Sequence, residues 1–147
     1  MSSKYQGNST EKLALDTYIK LMRSVDSVKK RIDAQNTVGE LSGSMFGTLE
    51  MLYHLGSLNQ KEIGEKLLVS KSNVVAVIDR LEKLGLAKRE RSAEDRRCIF
   101  VHLTDAGKER IEAILPVHVA AISAEMNRLS KQEQEELGRL CRKLGIS

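Results

Sequence analysis

Tryptophan is absent from this chain of 147 residues, and aromatic residues make up only 3% of it. Its core must therefore be filled by Leu, Ile, Val and Met rather than by large rings. Proline occurs once, at Pro116, so little interrupts helices elsewhere. The two cysteines, Cys98 and Cys141, lie far apart and share no motif spacing. That excludes a disulfide scaffold and predicts a cytoplasmic protein with reduced thiols. No apolar run approaches the roughly 20 residues needed to span a bilayer, so no membrane partner is expected. The opening residues, Met1 to Asn8, are polar and lack the apolar segment of a signal peptide.

What is present is aliphatic and charged. Hydrophobic residues reach 41% and charged residues 30%, which suits one compact, helix-rich domain or a small domain with an accessory helical layer. The net charge is +4 and the pI about 9.1, a first pointer to a polyanionic partner. The location of the charge says more. Residues 70–97 hold eight cations and five acids, and eight minus five places +3 of the total +4 in this fifth of the chain.

Apolar periodicity predicts a long amphipathic helix over about residues 10–35 and a second from Ser42 to about Leu55. Asn59 with Glu62 has capping-box spacing and opens a short third helix with Ile63, Leu67 and Leu68 on its apolar face. Ser70 caps a fourth helix whose inner positions are Val74, Val77, Ile78, Leu81 and Leu84, and Gly85 ends it. Leu86–Arg91 and Cys98–Leu103 read as paired strands around a charged tip, with Ile99, Val101 and Leu103 facing inward. Thr104 caps a long helix kinked at Pro116, and Ser130 with Glu133 starts the last one.

Two helices joined through Leu68-Val69-Ser70 and followed by a charged hairpin form a helix-turn-helix with a wing. The second helix opens with Ser70, Lys71, Ser72, Asn73 and Val74, a mostly small and polar start suited to base edges and phosphates. Arg80, further along, reaches the DNA backbone. Arg89, Arg91, Arg96 and Arg97 arm the wing for phosphates or a minor groove. Asp95 is expected to pair with a neighbouring arginine and brace the tip, while Glu90 and Glu94 are solvated.

With this order of elements the chain resembles the multiple-antibiotic-resistance regulator (MarR) family over nearly its whole length. The resemblance rests on Asn59-Gln60-Lys61-Glu62-Ile63-Gly64, on Val77 to Leu86, and on Asp95-Arg96-Arg97 followed by Val101-His102-Leu103-Thr104-Asp105-Ala106-Gly107. It implies a mainly α fold: one winged helix-turn-helix lobe over 42–104, with helices at 10–35 and 108–147 intertwining in a homodimer. It further implies that the dimer binds successive major grooves of a pseudo-palindromic double-stranded operator, with wings in the flanking minor grooves. Such regulators commonly repress, and release DNA when a small phenolic ligand or an oxidant acts. The effector crevice would draw on Tyr18, Met22, Met45, Phe46, Leu49 and Tyr53, with Arg31 available to a ligand carboxylate.

Other chemistry finds little support in the sequence. Cys98 follows two arginines, a setting that favours a reactive thiol, but the family's oxidant sensors carry theirs near the first helix, and residues 1–97 hold none. His54, His102 and His118 share no ligand spacing, so neither a metal nor another cofactor is expected. Cys98 and His102, four apart on one strand face, are too distant for a catalytic pair. No polar catalytic cluster points to an enzyme. The alternative to DNA binding is a winged-helix module that binds a protein.

Overall fold

The computed structural model describes residues 4–67 and 70–145. The chain divides into two compact units. One combines the N-terminal segment through Thr37 with Ala120 onward, and the other runs from Val38 to Val119.

The first unit contains α1 (Ser9–Asp33), the last turns of α5 (Asp105–Met126) and α6 (Lys131–Leu144). Helix α1 is capped by Asn8: the Asn8 side chain accepts the Glu11 amide at 2.9 Å and the Glu11 carboxylate accepts the Asn8 amide at 3.0 Å. The box predicted at Ser130 and Glu133 forms, with bonds of 3.2 and 2.7 Å. Within this unit Glu125 accepts from Arg31 Nε at 2.6 Å and pairs with Arg128 Nε at 3.2 Å. Neither α1 nor α6 buries a single residue, although both carry apolar stripes.

The second unit is a winged helix. It contains α2 (Gly43–Leu55), β1 (Leu58–Asn59), α3 (Gln60–Leu67), α4 (Lys71–Lys83), β2 (Ala87–Arg91), β3 (Ile99–Leu103) and the first turns of α5. Its core is aliphatic, as the lack of large rings requires. Leu49, Ile63, Ile78, Leu81, Val101 and Ile111 are fully buried, with Phe46 the one aromatic among the core residues. Ile111, Ile114 and Leu115 bring the start of α5 into this packing, which carries the unit past the expected boundary at 104. The helix continues through Pro116, which offers no amide to the Glu112 carbonyl. Leu68 and Val69, two of the three residues of the predicted turn, lie outside the described residues.

The sheet is antiparallel in the order β1-β3-β2. Strand β1 has no signature in the sequence; Leu58 and Asn59 pair with Val101 and Phe100 across some forty intervening residues. In the hairpin, Arg89 pairs with Val101 and Lys88 with His102. Because strand side chains alternate, this register sets Ala87, Arg89 and Arg91 on the face of the buried Val101, and Lys88 and Glu90 on the opposite face.

Two junctions hold the wing on the helices. Helix α4 ends with the Gly85 amide bonded to the Glu82 carbonyl and the Leu86 amide to the Leu81 carbonyl, with Gly85 at φ +71°, a conformation that favours glycine. Thr104 then ties β3 to α5. Its hydroxyl donates to the Gly85 carbonyl at 2.6 Å and accepts the Gly107 amide at 3.0 Å. Gly107 is buried against Leu86, and a Cβ there would press into the Leu86 carbonyl oxygen. The Leu-Thr-x-x-Gly run is thus a packing requirement.

Candidate nucleic-acid interface

Helix α4 splits into two faces. Val74, Val77, Ile78 and Leu81 enter the core, and Ser70, Lys71, Ser72 and Asn73 are exposed at the N-terminus. The Ser70 hydroxyl accepts the Asn73 amide at 3.4 Å and lies 3.2 Å from the Ser72 hydroxyl. That leaves a short polar row on the positive end of a helix dipole, a setting that attracts phosphate. Val74 was read both as an inner position of α4 and as a member of this row. It is only 2% exposed, because the helical period aligns it with the core stripe, so it anchors α4 from beneath. Arg80 is exposed on the last turns and lines, with Lys83, Ser42, Met45, Leu84 and Glu40, a recess of about 300 Å³.

The wing tip is built by short local bonds. The Ser92 hydroxyl accepts the amides of Glu94 and Asp95, each at 3.3 Å, and the Ser92 amide reaches the Cys98 carbonyl at 2.9 Å. Asp95 braces the tip differently from the expectation: its carboxylate takes the main-chain amide of Arg97 at 3.0 Å rather than a guanidinium. This is an Asx turn, and it leaves the side chains of Arg96 and Arg97 exposed at the end of the hairpin. Arg91 Nη1 donates to the Arg96 carbonyl at 3.2 Å and stiffens the same turn. The thiol of Cys98 contacts the Asp95 carboxylate at 3.7 Å, so its polar neighbour is an acid and not the arginines that precede it.

Arg89 departs furthest from the sequence reading. It is not a free wing cation. Its guanidinium is paired with Asp79 at 2.7 Å and with Glu82, donates from Nε to Gln60 Oε1 at 2.8 Å, and donates from Nη2 to the Val75 carbonyl at 3.2 Å. Partial burial alone would lower its pKa, but the hydrogen bonds to Asp79 and Glu82 outweigh that and hold it above its ordinary value. Glu90 is also engaged: His102 Nε2 stands 3.1 Å from its carboxylate, and His102 Nδ1 stands 2.5 Å from the Ser57 hydroxyl. Ser57 lies in no motif, and the motifs that contain Gln60, Asp79 and Glu82 gave no sign that these residues hold Arg89. The signal available was the hairpin register, which turns Arg89 toward the helices.

The residues expected around an effector fall in both units. Tyr18 and Met22 are exposed on α1. Met45, Phe46 and Leu49 are at most 6% exposed and belong to the core of the winged unit, where Phe46 packs against the His118 ring at 4.6 Å. Tyr53 is half-buried and donates to Glu112 at 3.2 Å. Among the described residues no cluster of three or more His, Cys, Asp or Glu is placed to hold a metal ion, and no helix is long and apolar enough to cross a membrane.

Comparison with known proteins agrees with this architecture. Residues 41–99 match the MarR family model. The chain is 35% identical over 133 residues to the uncharacterised HTH-type transcriptional regulator YkoM of Bacillus subtilis, covering 90% of this chain and 86% of YkoM. It is 31% identical to the HTH-type transcriptional regulator MhqR of the same organism, covering 94% of each. Among solved structures, a MarR family regulator from Streptomyces coelicolor in complex with DNA superposes with a TM-score of 0.81 at 25% identity, covering 98% of this chain and 91% of that one. From sequence relatives over most of its length and from the winged-helix unit itself, this chain belongs to the MarR family of HTH-type transcriptional regulators.

Proposed function

We propose that two copies of this chain grip one side of a pseudo-palindromic double-stranded operator and repress the adjoining gene. Helix α4 enters the major groove. Ser70, Ser72 and Asn73 meet base edges or nearby phosphates, and Lys71 and Arg80 meet the backbone. Arg91, Arg96 and Arg97 serve the flanking minor groove. Half-sites are then centred about one helical turn, roughly 10 bp, apart. The observation that carries this reading is the pairing of an exposed polar N-terminus on α4 with a self-braced hairpin tip whose Arg96 and Arg97 are exposed.

Dimerisation through α1 and α6 is supported by what those helices leave uncovered. Leu13, Val25, Leu137, Leu140 and Leu144 on these two helices are between 38% and 70% exposed. The protein acts in the cytoplasm as a regulator and not as an enzyme, and a small aromatic molecule or an oxidant releases it from DNA. Of the residues the sequence suggested for such a ligand, Tyr18 and Met22 keep exposed side chains on α1, and, in the other unit, Tyr53 is half-buried.

The test is retention on a duplex library at rising salt, followed by footprinting on the selected sequence. Binding whose logarithm falls linearly with log salt, protecting two half-sites about 10 bp apart, is the expected result. Indifference to duplex at low salt would instead favour a protein-binding wing. Adding simple phenols or peroxide to the bound complex then identifies the effector class.

A further inference from the structure

We infer that Arg89 is a positioning residue that locks the wing to the recognition helix and thereby sets sequence discrimination, without itself touching DNA. The inference rests on the DNA-binding reading above and deepens it. One guanidinium joins three elements: Gln60 at the start of α3, Val75, Asp79 and Glu82 along α4, and its own strand β2. The Arg89 main-chain amide adds a bond of 3.2 Å to the second oxygen of Glu82, so strand and side chain hold the same carboxylate.

Geometry argues against a DNA contact. The side chain is 21% exposed, each of its three nitrogens already has an acceptor, and its charge is matched by two carboxylates. Freeing it to reach a phosphate would strand Asp79 and Glu82 together without their cation. The planar fork of arginine suits this junction in a way that a lysine point charge does not. Wing and α4 must contact adjacent grooves at a fixed separation, and base-edge readout tolerates little misplacement. Loosening the junction should therefore reduce the preference for the right sequence, because the wing and helix no longer seat together.

The experiment uses the full-length protein, a duplex selected by the wild type from a random library, and a scrambled duplex of equal length. Arg89→Gln should lower the selected-over-scrambled affinity ratio by about tenfold, the scale of one mismatched base pair. The salt slope should not change. In a double-mutant cycle, Arg96→Ala should cost less in the Arg89→Gln background than in the wild type, because a mispositioned wing has little left to lose. The double variant Asp79→Asn, Glu82→Gln removes two acids near DNA, which by charge alone would strengthen binding to both duplexes. Positioning predicts that its ratio falls as well, and this variant carries the test should Arg89→Gln fail to fold.

A slope reduced by about 0.9 with an additive Arg96 effect would make Arg89 a phosphate ligand and overturn the inference. A lowered melting temperature with an unchanged ratio would overturn it too, leaving only a role in stability. If the wild type retains no duplex at all, it is the DNA-binding reading that fails.

Discussion

The carboxylate of Asp95 holds the main-chain amide of Arg97 at 3.0 Å, so an acid stabilises the end of a hairpin that is otherwise strongly cationic. The bond explains why a repulsive charge sits where phosphate is expected. Asp95 shapes the turn, and the turn aims the arginines. Replacing Asp95 with Ala removes a negative charge, and electrostatics alone would then raise DNA affinity. Loss of the turn acts the other way. A hydrogen bond contributes about 0.5–1.5 kcal/mol, so affinity should fall by up to about tenfold with the salt slope intact. Titration of a labelled duplex at three salt concentrations checks both quantities. Stronger binding by Asp95→Ala would show that the brace does not control the wing.

Arg96 and Arg97 are exposed, and neither guanidinium pairs with a carboxylate among the described residues. Changing either to Ala should weaken binding to selected and scrambled duplexes alike and reduce the salt slope by about 0.9 for each phosphate that the arginine had neutralised. Asn73→Ala should behave differently, relaxing sequence preference more than it lowers non-specific affinity. An unchanged slope in both arginine variants would remove the tip from the interface, and a uniform loss in Asn73→Ala would place that side chain on the backbone.

Gly107→Ala tests the join between the wing and α5. The added Cβ would crowd the Leu86 carbonyl oxygen and stand 2.9 Å from Leu103 Cδ1. Backbone cannot swing away as a side-chain tip can, so the start of α5 must shift and the Thr104 cap with it. Overpacking of this kind costs about 1–3 kcal/mol. At about 2–4 °C per kcal/mol for a domain near this size, calorimetry should find a melting temperature several degrees lower. Unchanged melting would mean that the junction has more give than its packing suggests.

Features set by a few neighbouring residues were legible in the sequence. The boxes at Asn59 with Glu62 and Ser130 with Glu133 depend on three-residue spacing and formed as read. The hairpin followed from alternation in Ile99, Val101 and Leu103 against a charged tip. Two things were not legible. Strand β1 is two residues long and exists only because β3 offers Phe100 and Val101 as an edge to pair on, a relation no local window contains. Arg89 reads like any wing cation until the register is known; its partners Asp79 and Glu82, three apart on α4, resemble a solvated helix face. Val74 carried two readings, an inner position and a member of the polar row, and its spacing to Val77, Ile78 and Leu81 marks the core stripe that it joins.

The dimer reading is tested on α6, where Leu137, Leu140 and Leu144 fall at i, i+3 and i+7 on one stripe and are 38%, 46% and 70% exposed. Burying a leucine is worth about 1.5–3 kcal/mol, and in a two-fold interface each substitution counts twice. Leu140→Glu therefore removes that gain and brings a charge into the interface from both copies. Sedimentation should show a monomer for Leu140→Glu where the wild type is a dimer. The winged unit should keep its melting signature, because Leu140 belongs to the other unit. Operator affinity should then fall far more than affinity for a random duplex, since a separated lobe gains nothing from the second half-site. A variant that stays dimeric and binds as before would remove this stripe of α6 from the contact between copies.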